Sequence, residues 1–332
     1  MTKIAIIGAG LSGISAAHFL KDHAEITLFD KARGVSGRMS TRRSGAYLFD
    51  HGAQYFTART KQFQDFIQPL LDQGIIKRWD ARYVKFDANR IVERRNWINE
   101  EPRYVGVPGM NKIVKYLAEG LNIHINTRIR SLQDQGKWQL TDDQGQRYSD
   151  FDWVISTVPS PQAVELLPES FKDHGNIKAV EMRACFSLML GFEQSLPLEF
   201  EAAHVQNSDL SWISVNSHKP GREDPFTMIV HSSEEFAEAH INDNREKVMH
   251  HLITETGRVI GQDVSAADYK NIHAWRYANN AKQENSTIFL DHDLKLAACG
   301  DWCLGGRVER AFTSACKLVN EMKENALNSS EV

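Results

Sequence analysis

Gly8, Gly10 and Gly13 follow the apolar run Ile4–Ile7 in the spacing G-x-G-x-x-G. In that context the spacing suits a dinucleotide. The first glycine allows a tight turn, the second lets backbone approach a pyrophosphate, and the third lets a helix pack close to a sheet. The helix then opens at Ser12, and its start offers unpaired N–H groups to the phosphates. Asp30 lies 20 residues after Gly10, at the end of Glu25–Asp30. An acid there is placed to bond a ribose hydroxyl and suits FAD or NAD better than a 2′-phosphate.

Two further elements favour FAD over NAD. Ser36-Gly37-Arg38-Met39-Ser40 places Arg38 to meet a phosphate or a flavin-facing backbone. Gly300-Asp301 follows a C-terminal apolar run and precedes a glycine-containing loop and a helix. Asp301 is placed for a ribityl or ribose hydroxyl, and the helix start at Arg307 and Val308 for the flavin pyrimidine carbonyls. Tyr55, Phe56, Trp275, Tyr277 and Trp302 supply flat faces for a pocket, with His231 and Arg307 as polar groups. For any one aromatic residue in a strand, plain core packing competes with this reading. The sequence holds no H-E-x-x-H, no P-loop and no G-x-S-x-G. Metal-assisted hydrolysis, phosphoryl transfer and serine hydrolysis therefore have no support.

These residues need a scaffold of mixed class. Ser12–Leu20 reads as a helix between the strands Ile4–Ile7 and Glu25–Phe29. Phe63, Phe66, Ile67 and Leu70 recur at helical spacing and predict a helix over 60–72. Strands are expected within 75–100, and Val107-Pro108-Gly109-Met110 leads into a helix. Asn122–Arg130 alternates Ile123, Ile125, Thr127 and Ile129 and predicts one half-buried strand. Val180–Phe192, Trp212–Asn216, Thr227–His231 and Ile272–Tyr277 predict strands, with a helix over Asn242–Arg258. Leu296–Cys299 predicts a strand and 307–323 the final helix. The fold class is thus α/β plus α+β: a Rossmann-like FAD-binding domain with an inserted mixed substrate domain containing an antiparallel sheet. The FAD-binding domain is expected over 1–60, 105–160 and 295–325, the substrate domain over 61–104 and 161–294, and a polar tail over 326–332.

At 332 residues, with 42% hydrophobic and 25% charged residues, the chain is long for one core. A net charge of −4 speaks against nucleic acid as a partner. No run of 18 apolar residues exists, and the first strand leaves no room for a leader, so a cytoplasmic protein is expected. Cys185, Cys299, Cys303 and Cys316 show neither zinc nor C-x-x-C spacing and read as reduced thiols.

Taken together these motifs resemble the bacterial renalases, within the wider amine-oxidase-like or p-hydroxybenzoate-hydroxylase-like flavoprotein fold. The resemblance rests on Ile4–Gly13, Phe29–Lys31 with Arg33-Gly34, Gly37-Arg38-Met39, Gly52–Arg59 and Val107–Met110. It continues through Val158-Pro159, Pro161–Ala163, Ser217 with Lys219-Pro220, Trp275 with Tyr277-Ala278, Cys299–Cys303 and Gly306–Glu309. It departs at Arg310, at Ala315 and at Asn279-Asn280, where family members tend to place glycine, glycine and proline. The resemblance implies a non-covalent FAD enzyme that oxidises 2- and 6-dihydro isomers of NAD(P)H to NAD(P)⁺. Hydride passes to flavin N5, and dioxygen reoxidises the flavin to hydrogen peroxide. An amine or polyamine oxidase or a desaturase is the alternative. The cofactor set becomes Gly8, Gly10, Leu11, Ser12, Gly13, Asp30, Lys31, Gly37, Arg38, Met39, Gln54, Tyr55, Phe56, Ile129, Gly300, Asp301, Arg307 and Val308. His231, Trp275 and Tyr277 would position the substrate, and Arg307 would influence the charge of the reduced flavin.

Overall fold

The computed structural model describes residues 1–222, 225–280 and 287–324. The polar tail over 326–332 lies outside the described residues. The chain forms two compact units. Unit 1 holds Met1–Arg38, Val114–Met182 and Asn279–Val332; unit 2 holds Met39–Ile113 and Arg183–Ala278.

Unit 1 is built on a six-stranded sheet in the order Phe289–Asp291, Leu296–Ala298, Trp153–Ser156, Thr2–Ile7, Ala24–Phe29 and Asn122–His124. The first two pair antiparallel and every other neighbouring pair is parallel. The first strand lies between two parallel neighbours, so Ile4, Ala5 and Ile6 are buried as a continuous run without alternation. Helix Leu11–Leu20 follows, and its buried Leu11, Ile14 and Leu20 come from the same short segment. The final helix, Val308–Met322, packs an apolar face of Phe312, Ala315, Leu318, Val319 and Met322 against it, with Phe19 edge-on to Phe312. A small antiparallel sheet of Ile129–Asp134, Trp138–Asp142 and Arg147–Phe151 completes the unit.

Unit 2 is built on a seven-stranded mixed sheet. Its order is Tyr269–Asn280, Met182–Phe192, Phe226–Ser232, Leu210–Val215, Ala202–Gln206, Arg82–Asp87 and Arg90–Asn96. Ala202–Gln206 runs parallel to Arg82–Asp87, while Met182–Phe192 and Leu210–Val215 each run antiparallel to Phe226–Ser232. One face buries Phe186, Leu188, Leu190, Ile213 and Val230 together with Val248 and Leu252. The latter two lie on helix Arg245–Ile260, which opens on an Asn244 cap bonding the amides of Glu246 and Lys247 and closes at left-handed Gly261. Helix Lys61–Asp72 opens on Thr60, whose hydroxyl accepts from Phe63 N–H, and buries Phe63, Ile67 and Leu70.

The two-unit, discontinuous organisation differs in its limits from the expected domains. Residues 39–60 lie in unit 2, where the hairpin Arg42–Ser44/Tyr47–Phe49 buries Phe49 against Met189 and Ile229. Residues 105–113 lie there too, because Tyr104–Gly106 pairs with Ile76–Arg78. Residues 161–182 lie in unit 1, where Phe171, Ile177 and Val180 join its core. The single strand expected over Asn122–Arg130 is two strands in two sheets. Asn126 takes a left-handed φ of 53° and turns the chain between them. No helix among the described residues is long and apolar enough to cross a membrane.

Candidate functional site

In unit 1 the glycine fingerprint is a turn under steric constraint. Gly8 has a φ of +110°, and a Cβ on Gly13 would stand 1.9 Å from the Gly8 carbonyl oxygen. Gly10 differs, since a Cβ there would meet nothing within 4 Å. Gly10 is also the cap of helix Leu11–Leu20 and makes no side-chain cap bond. The helix therefore presents uncapped N–H groups beside open space, which fits a pyrophosphate and the partial positive charge of a helix start. Asp30 closes the turn: its carboxylate accepts from Ala9 N–H at 2.7 Å and from Ala32 N–H at 2.8 Å. Each oxygen keeps acceptor capacity for a ribose hydroxyl. Lys31 donates to Gln162.

Arg38 and Asp301, 263 positions apart, meet in an ion pair at 2.5 Å. This brings the second glycine element, Gly37-Arg38, to the C-terminal one, Gly300-Asp301. Arg307 is exposed and precedes the final helix with a φ of 155° and a ψ of 156°, a region that non-glycine residues seldom occupy. As the helix cap it makes no side-chain bond, so the N–H groups from Val308 onward have no cap from it. Arg310, at a position expected to hold glycine, donates to the Gly305 carbonyl at 2.7 Å and closes the loop before the helix. Asn280 donates to the Trp302 carbonyl, and a Cβ on Gly306 would fall 1.8 Å from the Asn279 amide oxygen. The asparagines thus brace this loop.

Several of the expected contact residues pack in the cores of their units. Ile129 is buried in the core of unit 1. Trp302 is fully buried there, stacked on Phe289 with its indole N–H on the Val158 carbonyl. Met39 is buried in unit 2. Tyr55 packs among Trp79, Trp97 and Trp212, and Phe56 against Phe63 and Tyr104. Both rings serve the packing of unit 2. Cys303 is buried and its thiol is pushed well above the ordinary value by that burial, which leaves no thiolate for redox work.

Unit 2 assembles a polar cluster around Asp50, which is wholly buried. Its carboxylate accepts from Thr41 Oγ1 at 2.7 Å, from Met110 N–H at 2.9 Å and from the Arg222 guanidinium, with Lys219 Nζ 3.7 Å away. Burial alone would raise the Asp50 pKa, but Arg222, Lys219 and the two hydrogen bonds hold it below the usual carboxylate value. Burial pushes the Lys219 ammonium down to about 7, with Asp50 opposing the shift and Arg222 adding to it. Gln54, expected at the cofactor, belongs to this cluster: it bonds Lys219, Ser214 and the Asp50 carbonyl and lies 3.4 Å from His231 Nε2.

Beside it stand three imidazoles. His51 stacks on Trp275, whose indole N–H donates to the His51 carbonyl at 2.8 Å. His273 meets the Trp275 ring edge-on. Arg42 donates to Asn271 Oδ1 at 2.9 Å and lies 3.5 Å from His273 Nδ1. Burial, reinforced by neighbouring positive groups, holds His51 to about 4, His273 to about 4 and His231 to about 3. All three are neutral at pH 7. The structure thus joins His231 to Gln54, and Trp275 to His51 and His273. Tyr277 lies two residues beyond Trp275 on the same strand, half-buried. His51, His273, Asp50 and Arg222 escape a reading by motif, and Lys219 enters only as part of the resemblance. The one available signal is alternation: His273, Trp275 and Tyr277 are i, i+2 and i+4 on one strand.

The family pattern described as flavin containing amine oxidoreductase matches residues 79–322, and that of an NAD(P)-binding Rossmann-like domain matches 6–70. The chain belongs to the flavin-containing amine oxidoreductase family. Its uncapped helix, open Gly10 position and Asp30 carboxylate fit an FAD cofactor. Among its relatives is the renalase of Mus musculus, 30% identical over 220 residues, which are 60% of this chain and 60% of the mouse protein. A 4,4′-diapophytoene desaturase of Staphylococcus aureus is 35% identical over 77 residues, 20% of this chain and 15% of the desaturase. The match thus spans less than two thirds of either relative's own length. Among solved structures, putrescine oxidase bound to putrescine superposes with a TM-score of 0.70 at 13% identity, over 98% of this chain and 99% of that one. At that identity the likeness is one of fold, and it agrees with a Rossmann-like FAD-binding domain carrying an inserted mixed domain.

Proposed function

We propose that this oxidoreductase oxidises misreduced NADH and NADPH, the 2- and 6-dihydro isomers, to NAD(P)⁺. The observation that carries the reading is the charge of the histidine cluster in unit 2. Its three imidazoles are neutral, Asp50 is committed to Arg222 and Lys219, and Arg42 has no carboxylate partner among the described residues. Such a cluster offers donors and positive charge. It holds no uncommitted carboxylate among those groups to meet the ammonium of a polyamine, whereas a dihydronicotinamide is a neutral ring on an anionic dinucleotide.

The chemistry asks little of acid–base groups. A dihydropyridine loses hydride and becomes aromatic, with no proton to be taken from the reacting carbon. FAD, when bound, supplies the hydride acceptor and passes the two electrons to dioxygen, giving hydrogen peroxide. The chain's own residues then position the donor. The Trp275 face, held on the His51 carbonyl, suits a flat ring that turns cationic. His231 and His273 supply hydrogen bonds without charge. The 30% identity to mouse renalase supports the same reading.

The second reading is an amine or polyamine oxidase or a desaturase. The match over residues 79–322 and the likeness to the desaturase support it more directly than they support a dinucleotide donor. The charge of the cluster opposes polyamines in particular. The test is anaerobic mixing of FAD-loaded protein with borohydride-reduced NAD⁺, which contains the 2- and 6-dihydro isomers. Rapid loss of the oxidised flavin band, with 4-dihydro-NADH inert, is expected. A band untouched by those isomers but bleached by amines would replace the first reading with the second.

A further inference from the structure

Arg42 is a half-buried cation without a counter-charge. It stands opposite Phe49 in the hairpin, and the Thr41 hydroxyl before it is tied to Asp50. The guanidinium donates from Nη1 to Asn271 Oδ1 at 2.9 Å and sets Nη2 3.5 Å from His273 Nδ1. Both partners are neutral, and no carboxylate pairs with Arg42 among the described residues. A guanidinium has five N–H donors and these contacts use at most two, so at least three have no acceptor among the described residues. A cation taken partly out of water in this way favours an anionic partner.

The surroundings repeat the sign. The charged groups that bear on His273 are Arg42 and Arg245, with no acid among them. Asp50 bears on His51 but is committed to Arg222 and Lys219. Asn271, His273 and Trp275 are i, i+2 and i+4 on strand Tyr269–Asn280 and share one face. The rings of His273 and Trp275 lie 4.3 Å apart at their centroids, so one imidazole separates the guanidinium from Trp275. Arg42, Asn271, His273 and Trp275 are all half-buried and so each keeps some surface open to solvent. Two residues along a strand rise about 7 Å, and a nicotinamide nucleotide sets one ribose between its ring and its phosphate.

We propose that Arg42 is a binding residue of the donor site: it takes the phosphate on the nicotinamide ribose while the ring lies at Trp275. The proposal rests on the dinucleotide reading above. A planar guanidinium can give a phosphate two parallel hydrogen bonds. That phosphate is unchanged when the ring is oxidised, so the contact is uniform binding, which sets KM and leaves kcat. NADH and NADPH isomers share it.

The test compares borohydride-reduced NAD⁺, nicotinamide mononucleotide and nicotinamide riboside, each containing 2- and 6-dihydro isomers, as anaerobic donors to the FAD-loaded protein. The last two differ only in the phosphate. The unaltered protein is expected to show a KM for the mononucleotide about ten- to a hundredfold below that for the riboside, the size of a charge-assisted hydrogen bond. Arg42→Met is expected to erase that difference by raising KM for both phosphate-bearing donors, with kcat little changed and FAD content retained. Arg42→Lys keeps the charge without the parallel pair and is expected to restore part of the difference. Equal KM for mononucleotide and riboside in the unaltered protein overturns the proposal without any variant having to fold. An Arg42→Met protein that weakens all three donors alike, or that loses FAD, overturns it too, since Arg42 then serves the fold or the cofactor. Calorimetry of the FAD-loaded protein with inorganic pyrophosphate separates this proposal from the donor reading. A protein inert to all three donors that binds pyrophosphate, with the binding lost in Arg42→Met, sinks the donor reading and leaves the anion site standing. Inertness without pyrophosphate binding sinks both.

Discussion

At the scale of single residues, Asp50 carries the charge balance of unit 2. Arg222 and Lys219 are both buried, and Asp50 is the carboxylate that each of them faces. Asp50→Asn keeps the shape and removes the counter-charge from two buried cations. We expect a loss of about 3–5 kcal/mol in a urea unfolding series, the cost of breaking a buried pair from one side. A loss below about 1 kcal/mol would mean that water reaches the cations. The imidazoles set a second expectation. His231, His51 and His273 titrate in the folded chain at about 3, 4 and 4, below the unfolded value of 6.5. Between those limits the unfolded chain binds more protons, so stability is full above pH 6.5 and falls as pH drops toward 4. Each imidazole costs about 1.4 kcal/mol per pH unit in that window, less where it is partly hydrated. A melting temperature flat from pH 7 to 4.5 would show imidazoles that protonate freely in the fold.

At the scale of elements, the glycine turn separates a folding role from a binding role. Gly13→Ala puts a Cβ 1.9 Å from the Gly8 carbonyl oxygen, so the helix must move off the strand. Gly10→Ala meets no protein atom within 4 Å. We expect Gly13→Ala to lower both apoprotein stability and FAD content. Gly10→Ala should leave the apoprotein within about 1 kcal/mol of its parent while FAD content falls sharply. Full FAD loading of Gly10→Ala would place the pyrophosphate elsewhere. This turn was legible because its constraints are local: strand, glycine spacing and acid lie within 30 residues. Helix 60–72 was legible for the same reason, with its Thr60 cap and apolar period in one stretch. Asn122–Arg130 misled because alternation persists across the turn at Asn126, where a backbone angle, and not polarity, ends the strand. The Asp50 cluster was illegible, since Arg222 lies 172 positions away and nothing in either neighbourhood marks the partner. Tyr55 and Phe56 also pack against aromatic rings of unit 2, contacts that the run Gly52–Arg59 does not reveal.

At the scale of the molecule, unit 1 is assembled from the beginning, middle and end of the chain. Strand Thr2–Ile7 pairs with Trp153–Ser156, which pairs with Leu296–Ala298, and the first and last helices pack together. The groups that would hold FAD follow the same pattern, with Gly10 and Asp30 near the start and Asp301 and Val308 near the end. A ligand gripping both ends of the sequence has no counterpart site in the unfolded chain, where those ends are apart. Its binding energy is then stabilisation by mass action, about 2.7 kcal/mol at 100-fold excess over Kd. For a chain of this size that is a rise of roughly 5 °C in Tm, continuing with the logarithm of free FAD. Thermal scans of apoprotein across FAD concentrations read it directly. The Gly10→Ala apoprotein is the control, because it keeps the strand and helix contacts and loses the cradle. Equal rises in both proteins would mean that FAD is held without the first helix. A rise confined to the unaltered chain ties whole-molecule stability to one open position at a helix start.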